Sequence, residues 1–351
     1  VGLRWQDWPA GMVDRLRAGC AIPAHPLALN AKREMDPRRQ KALSRYYLAA
    51  GSGGLAVGVH TTQFAIRDVG LYEPVLTIAA EAASEVQSQP VLVAGAIGRT
   101  EQAVREARIA RGLGYHAVLL GLAAFKGASE DEIIAHCRTV AEEMPIFGFY
   151  LQPAVGGVPL SAAFWKRFAL IENVIAIKMA PFNRYATLDV LRGVLEAGAA
   201  SRIALYTGND DHIVGDLLTP FALRVTGCEA PLRVVGGLLG HWSVWTQAAV
   251  RLQQECAAAS GGPIPANLLA KDAQVTEMNA AIFDTANAFA GCIPGCHEVL
   301  RRQGLLEGTW CLDPHEDLSP GQAELISAAA LRYPELTDDD FVRANLNTWL
   351  S

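Results

Sequence analysis

Eight short apolar runs, separated by helix-like segments, constrain the fold of this chain more than any other feature. They fall at about Cys20 to Pro23, Gly54 to His60, Pro90 to Ala96, Tyr115 to Leu122, Pro145 to Leu151, Val174 to Met179, Arg202 to Thr207 and Leu232 to Val235. A repeat of roughly 25 to 35 residues leaves room for one helix between successive strands, which is what parallel strands need because each connection must cross back over the sheet. Eight such units are the number that closes a (β/α)8 TIM barrel. A doubly wound open sheet is the competing architecture. It is disfavoured because no G-x-G-x-x-G follows the first run, and Gly51-Ser-Gly-Gly54 precedes a strand rather than opening a helix.

The intervening segments agree. Asp36 to Ala50 has helical periodicity, Ser129-Glu-Asp-Glu132 reads as a capping box, and Gly112 and Gly114 stop the helix before the fourth strand. From about Thr246 the strand signal ends. Helices are expected over Ser243 to Ala259, Leu268 to Ala290, Pro294 to Gln303 with Gly304 as stop, Pro320 to Arg332 and Asp338 to Trp349. The chain therefore divides into a barrel, residues 1–245, and a C-terminal helical appendage, residues 246–351.

With 351 residues, 51% of them hydrophobic, the chain can bury a large core. A formal charge of −6 without a basic run argues against nucleic acid or an anionic membrane as partner and leaves a small molecule as the expected one. No stretch approaches the roughly 18 apolar residues that span a bilayer, and the start, Val1-Gly-Leu-Arg-Trp-Gln-Asp7, lacks the apolar segment of a signal peptide, so the cytoplasm is the expected compartment. Seven cysteines, Cys228 among them, without paired C-x-x-C spacing indicate neither a disulfide framework nor a zinc ribbon. Cys292, Cys296 and His297 are the nearest thing to a metal cluster, but they lie in an Ala/Gly-rich helical stretch where small buried thiols are ordinary. No metal, nicotinamide or other cofactor is expected.

In such a barrel chemistry takes place where the strands end. The sixth run, Glu172-Asn-Val-Ile-Ala-Ile-Lys-Met-Ala180, places a lysine where another Ile or Val would fit, with Val174, Ala176 and Lys178 on one face by alternation. A buried ammonium is costly to desolvate, so its pKa falls and a nucleophilic neutral amine becomes accessible. The plainer alternative is a lysine that snorkels into solvent. The fifth run, Pro145-Ile-Phe-Gly-Phe-Tyr-Leu-Gln-Pro153, carries Tyr150 with Ile146 and Gly148 on one face and Phe147 and Phe149 on the other. Tyr150 and Lys178 are 28 residues apart, which suits one strand-helix-strand unit and predicts a phenol beside the amine as a proton relay.

Other strand ends carry polar groups. His60-Thr61-Thr62-Gln63 offers hydroxyls and backbone N–H groups to a carboxylate, or is simply a Thr-rich turn. Thr207-Gly-Asn-Asp-Asp-His212 offers acid and amide groups to substrate hydroxyls, or a helix N-cap at Asp210 or Asp211. His25, and His241 with Trp242 and Trp245, fall near the same rim.

Taken together, Val57-Gly-Val-His-Thr-Thr-Gln63, Phe149-Tyr-Leu-Gln-Pro153, Ile175-Ala-Ile-Lys178 and Gly208-Asn-Asp210 resemble the dihydrodipicolinate synthase / N-acetylneuraminate lyase superfamily of Schiff-base aldolases, over nearly the whole chain. The resemblance implies that Lys178 forms the Schiff base, that Tyr150 is the relay, and that Thr61 and Thr62 hold a 2-keto-acid carboxylate; His60, Gln63 and Asn209, at the same strand ends, are expected among the substrate-binding groups. It also implies a homo-oligomer, a dimer or a tetramer. There are departures. His60 stands for the first Gly of the family's Gly-Thr-Thr-Gly-Glu turn, and Gln63 and Phe64 for its last two residues. Phe125 stands for the helper tyrosine, and Val155 for the arginine that receives a dicarboxylic second substrate. Losing that guanidinium argues against dihydrodipicolinate synthesis, and the apolar replacements and the Trp pair point to a less polar or bulkier second substrate. The activity expected is a lyase or aldolase acting on pyruvate or another 2-keto acid. The alternatives are a dehydratase of a 2-keto-3-deoxy sugar acid through the same imine and a non-catalytic small-molecule-binding barrel.

Overall fold

The computed structural model describes residues 2–225 and 231–351, so Cys228 lies outside the described residues. Its eight strands are β1 (Ala21–Pro23), β2 (Gly54–Val57), β3 (Val91–Ala96), β4 (Ala117–Leu120), β5 (Ile146–Leu151), β6 (Val174–Ala180), β7 (Ala204–Thr207) and β8 (Gly236–Leu239). Every pairing is parallel, in the order β1-β8-β7-β6-β5-β4-β3-β2. A parallel bridge between Ala24 and Ala56 brings β1 to β2 and nearly closes the cylinder. The protein is a (β/α)8 barrel with helices between the strands and a C-terminal set of helices.

The eighth strand lies four residues beyond its expected place, at Gly236 to Leu239 rather than Leu232 to Val235. Two glycines are poor strand formers by propensity, which hides the element in the sequence. Packing demands them: a Cβ on Gly236 would stand 2.4 Å from the Cys20 carbonyl oxygen, and one on Gly237 would stand 2.6 Å from the Trp242 ring.

Two layers of side chains follow from strand alternation. Ile22, Val93, Leu119, Phe147, Tyr206 and Leu238 fill the barrel interior, while Val57, Val118, Ile146, Ile177 and Leu205 pack outward against the helices. Trp8, Met12 and Leu16 belong to the interior cluster, and the Tyr206 hydroxyl donates to the Leu16 carbonyl at 2.8 Å. The N-terminal segment thus plugs one end, leaving the C-terminal ends of the strands as the open mouth.

One irregularity decides what the mouth contains. Ile146 pairs with Val174, but Phe147 pairs with Ala176, so Ile175 is an extra residue in β6. Ile175 and Ala176 both enter the interior, while Val174 turns outward. The expected sharing of one face by Val174, Ala176 and Lys178 therefore fails at Val174. Beyond the bulge the residue opposite Lys178 is Phe149, and Tyr150 stands opposite Met179.

The helix expected over Leu268 to Ala290 ends at Ile282. Asp284 adopts a left-handed φ of 55°, and its carboxylate accepts from the Asn287 side chain at 2.7 Å, from the Gly291 amide at 3.0 Å and from the Ser319 hydroxyl. Local bonds of this kind compete with helix continuation. The break lays Phe283, Ala288 and Phe289 across the barrel mouth. At the other end of the appendage the helix Asp339–Trp349 packs on the helix Pro37–Ala49, with Trp349 and Tyr46 ring centroids 5.4 Å apart and the Tyr46 hydroxyl donating to Asp338 at 2.8 Å. Among the described residues no helix is long and apolar enough to cross a membrane.

Candidate active site

Lys178 points into the mouth from β6 and is only 9% exposed. Its Nζ lies 4.6 Å from the centroid of the Phe149 ring, on the neighbouring strand. On the other side Gly208, just past β7, makes room for the stem, since a Cβ there would stand 2.5 Å from the lysine Cε. Burial pulls the amine from 10.5 down to about 8, against the opposing pull of the Asp210 carboxylate. That shift corresponds to about 3 kcal/mol disfavouring the ammonium, and it raises the neutral fraction at pH 7 by roughly 300-fold.

The cleft around the amine encloses about 140 Å³, near the ~150 Å³ of an engineered apolar cavity that accepts benzene. It therefore suits a ligand of about six heavy atoms next to the lysine. Asp210, 6% exposed, borders the same space. One of its oxygens, Oδ1, accepts the His241 amide at 3.2 Å. Burial pushes its carboxyl up to about 7, although Lys178 pulls the other way. Each charge opposes the effect of burial on the other, so the titrations of the amine and the carboxyl are linked.

His60 and Thr61 line the cleft, and His60 is pushed down to about 4 by burial and by the Lys178 charge, so it faces the lysine as a neutral ring. The two threonines divide their work. Thr62 Oγ1 accepts the Gly58 amide at 3.0 Å and donates to the His25 carbonyl at 2.6 Å, which builds the turn. Thr61 Oγ1 has only a 3.5 Å contact with that carbonyl, which leaves it free to meet a ligand. Val155 also lines the cleft, and Lys178 is the only Lys or Arg among the lining residues described.

Five expected site residues stand elsewhere. The Tyr150 ring faces outward onto Trp165, with centroids 5.1 Å apart. Its hydroxyl donates to the Leu160 carbonyl and accepts the Leu160 amide, each at 3.2 Å. The phenol is thus not beside the amine, because the extra residue in β6 changes the offset between the strands from 28 to 29. Thr62 is structural, as described. Gln63 takes a left-handed φ of 68° and accepts the Leu312 amide at 2.7 Å. Phe125 packs on the His136 ring, with centroids 4.4 Å apart. Asn209 braces the loops behind the cleft: it accepts the Phe182 amide at 3.0 Å and donates to Asp216 at 2.9 Å.

The rim residues are likewise structural. His25 bonds Ser44 and the Pro26 carbonyl, each at 2.8 Å, and Trp242 and Trp245 are core residues outside the cleft, so they do not widen it. His297 contacts the Thr309 carbonyl at 3.2 Å, and among the described residues no three His, Cys, Asp or Glu side chains gather as a metal site.

By sequence Asp210 reads as a helix cap or a binder of substrate hydroxyls. The helix in fact begins at Ile213 after His212, which leaves Asp210 free for the cleft. Its place two residues beyond the Gly208 that accommodates the lysine was the available signal. Phe283, Phe289 and Glu316 also line the cleft, from more than a hundred residues away in sequence, and no local pattern marks them.

Residues 19–220 match the model of the dihydrodipicolinate synthetase family. A 4-hydroxy-tetrahydrodipicolinate synthase of Bifidobacterium longum is 26% identical over 201 residues, 57% of this chain and 63% of that one, so the match spans less than two thirds of that relative's length. The enzyme of the same name from Azoarcus is 27% identical over 278 residues, 78% of this chain and 84% of that one. Among solved structures, N-acetylneuraminate lyase from Fusobacterium nucleatum superposes with a TM-score of 0.69 at 16% identity, covering 91% of this chain and 99% of that one. A prophage protein of the dihydrodipicolinic acid synthase family from E. coli K12, in complex with pyruvate, gives 0.73 at 17%, covering 90% and 98%. At these identities the structural likeness speaks for the fold.

Proposed function

Because this chain belongs to the dihydrodipicolinate synthetase family, we propose that it is a Schiff-base lyase or aldolase whose nucleophile is Lys178 and whose first substrate is pyruvate or a similar 2-keto acid. The observation that carries this reading is a buried amine, pulled down to about 8, facing a carboxyl pushed up to about 7 in one small cleft.

The neutral amine adds to the keto carbonyl, and loss of water leaves a protonated imine on Nζ. The imine draws electrons from the adjacent carbon, which gives up a proton and becomes an enamine. The enamine carbon then attacks an aldehyde; the new C–C bond forms as the aldehyde oxygen takes a proton. Hydrolysis of the imine releases the product and restores the amine, so atoms balance as keto acid plus aldehyde giving a 4-hydroxy-2-keto acid. The reverse reaction runs through the same species.

Asp210 is our candidate for the group that moves the proton at the aldehyde oxygen, in place of Tyr150. Its carboxyl is pushed up to about 7, so it can be charged or neutral near pH 7, as a general acid-base requires. Thr61, with its loosely held hydroxyl, is our candidate for the keto-acid carboxylate. The apolar walls and the cover from residues 283–289 would exclude water, which favours imine over hydrolysis. On this reading residues 246–351 complete the site as well as extending the barrel.

The test is turnover of 4-hydroxy-2-keto acids with product analysis in wild type and Lys178→Ala. Release of pyruvate by wild type and none by the variant supports the reading. Release of water with an intact carbon chain would assign the dehydratase instead, and equal activity in both proteins would remove Lys178 from the chemistry.

A further inference from the structure

A second cavity, of about 190 Å³, opens beside the lysine cleft and shares Phe149, Leu151 and Val155 with it. It lies between the ends of β3, β4 and β5 and the segment running to Leu160. Its far wall consists of Ile97, Leu122, Ala124, Val158 and Leu160, all apolar. The one side-chain hydroxyl bordering it, that of Tyr150, is engaged by both polar groups of Leu160. No charged side chain lines it among the described residues. Where the lysine cleft has Asp210 and Glu316 on its walls, this neighbour is mainly apolar and has no free polar side chain to replace the hydration of a hydroxyl or a carboxylate.

We propose that this cavity is the subsite for the distal group of the second substrate, and that this group is apolar and about the size of a phenyl ring. The inference rests on the Lys178 reading above. The reacting aldehyde carbon must reach the enamine in the first cleft, and the substituent it carries then extends over Phe149 and Val155 into the second. The volume fits one aromatic ring or a branched alkyl group, since ~150 Å³ suffices for benzene. Val155 matters here because its short apolar side chain borders both spaces. A long cationic side chain at that position would reach into these spaces and favour an anionic tail.

The experiment measures kcat/KM for pyruvate condensing with benzaldehyde, propanal and glyceraldehyde, in wild type and in Ala124→Phe, which narrows the far wall. Borohydride trapping of pyruvate on wild type is run beside it. The expected result is trapping, a wild-type preference for benzaldehyde over glyceraldehyde of about tenfold or more, and a collapse of that preference in the variant. Trapping with a preference for glyceraldehyde, or with no benzaldehyde turned over, overturns the subsite and leaves Lys178 standing. No trapping overturns the Lys178 reading itself and the subsite with it. The wild-type ratio decides the matter even if the variant does not fold.

Discussion

Replacing Asp210 with asparagine separates the two things its carboxylate does. In the folded protein burial pulls the Lys178 amine down, and the Asp210 charge holds it partly up. Asp210→Asn keeps the shape and removes the charge, so burial acts unopposed and the amine falls further. The amine of the variant therefore lies below its wild-type value of about 8. At pH 7 the neutral fraction then rises above the wild type's roughly one in eleven, and imine formation should speed up in proportion. Turnover should move the other way, falling by roughly 10²- to 10⁴-fold, because the amide cannot exchange a proton with the aldehyde oxygen. The assay pairs the rate of pyruvate trapping by cyanoborohydride across pH 5 to 10 with steady-state turnover. A trapping profile whose midpoint shifts to lower pH, together with lost turnover, is the expected pattern. A midpoint that stays or rises, or a variant that turns over normally, would refute the assigned roles.

Three more consequences are open to direct measurement. Lys178→Met should stabilise the protein at pH 7 by up to about 3 kcal/mol in urea unfolding, because a lysine whose folded pKa lies below its unfolded value of 10.5 is a cost at every pH below about 8; that cost is relieved between about pH 8 and 10.5, so wild type alone should gain stability as pH rises through that window. Tyr150→Phe should cost about 1 to 3 kcal/mol by stranding the Leu160 amide and carbonyl, yet keep most of its activity per folded molecule; loss of turnover without loss of stability would restore the phenol as the relay. Thr61→Val should raise KM for the keto acid with little effect on stability, whereas Thr62→Val should destabilise by about 1 to 3 kcal/mol, since only Thr62 holds the turn together.

The barrel was legible because its signal is periodic and repeated. Seven of the eight runs coincide with strands, and the capping box at Ser129 closes as written, the Glu132 carboxylate accepting the Ser129 amide at 2.8 Å. The eighth strand was misplaced because Gly236 and Gly237 are set by the space left by Cys20, Tyr206 and Trp242, which is a tertiary constraint. The site was half legible. Lys178 stands out as a cation in an apolar strand, and His60, Thr61 and Val155 follow from strand ends that do reach the cleft. The expected placing of Tyr150 beside Lys178 fails because a spacing of 28 fixes a face only if neither strand contains an extra residue, and nothing in Val174-Ile-Ala-Ile177 announces that Ile175 is one. Asp210 was undervalued because a carboxylate ahead of a helix ordinarily caps it. The cover from residues 283–289 depends on Asp284 reaching Ser319, a contact across 35 residues that no local pattern encodes.

The amine shares its cleft with a carboxyl, and the phenol is turned away onto Leu160. The measurement that tests Lys178 as the nucleophile most directly is peptide mapping after borohydride reduction in the presence of pyruvate. Irreversible mass should appear on the peptide containing Lys178, with a pH dependence whose midpoint is near 8. An unmodified Lys178, or a label that appears only near the pH where an ordinary surface lysine titrates, would contradict the account.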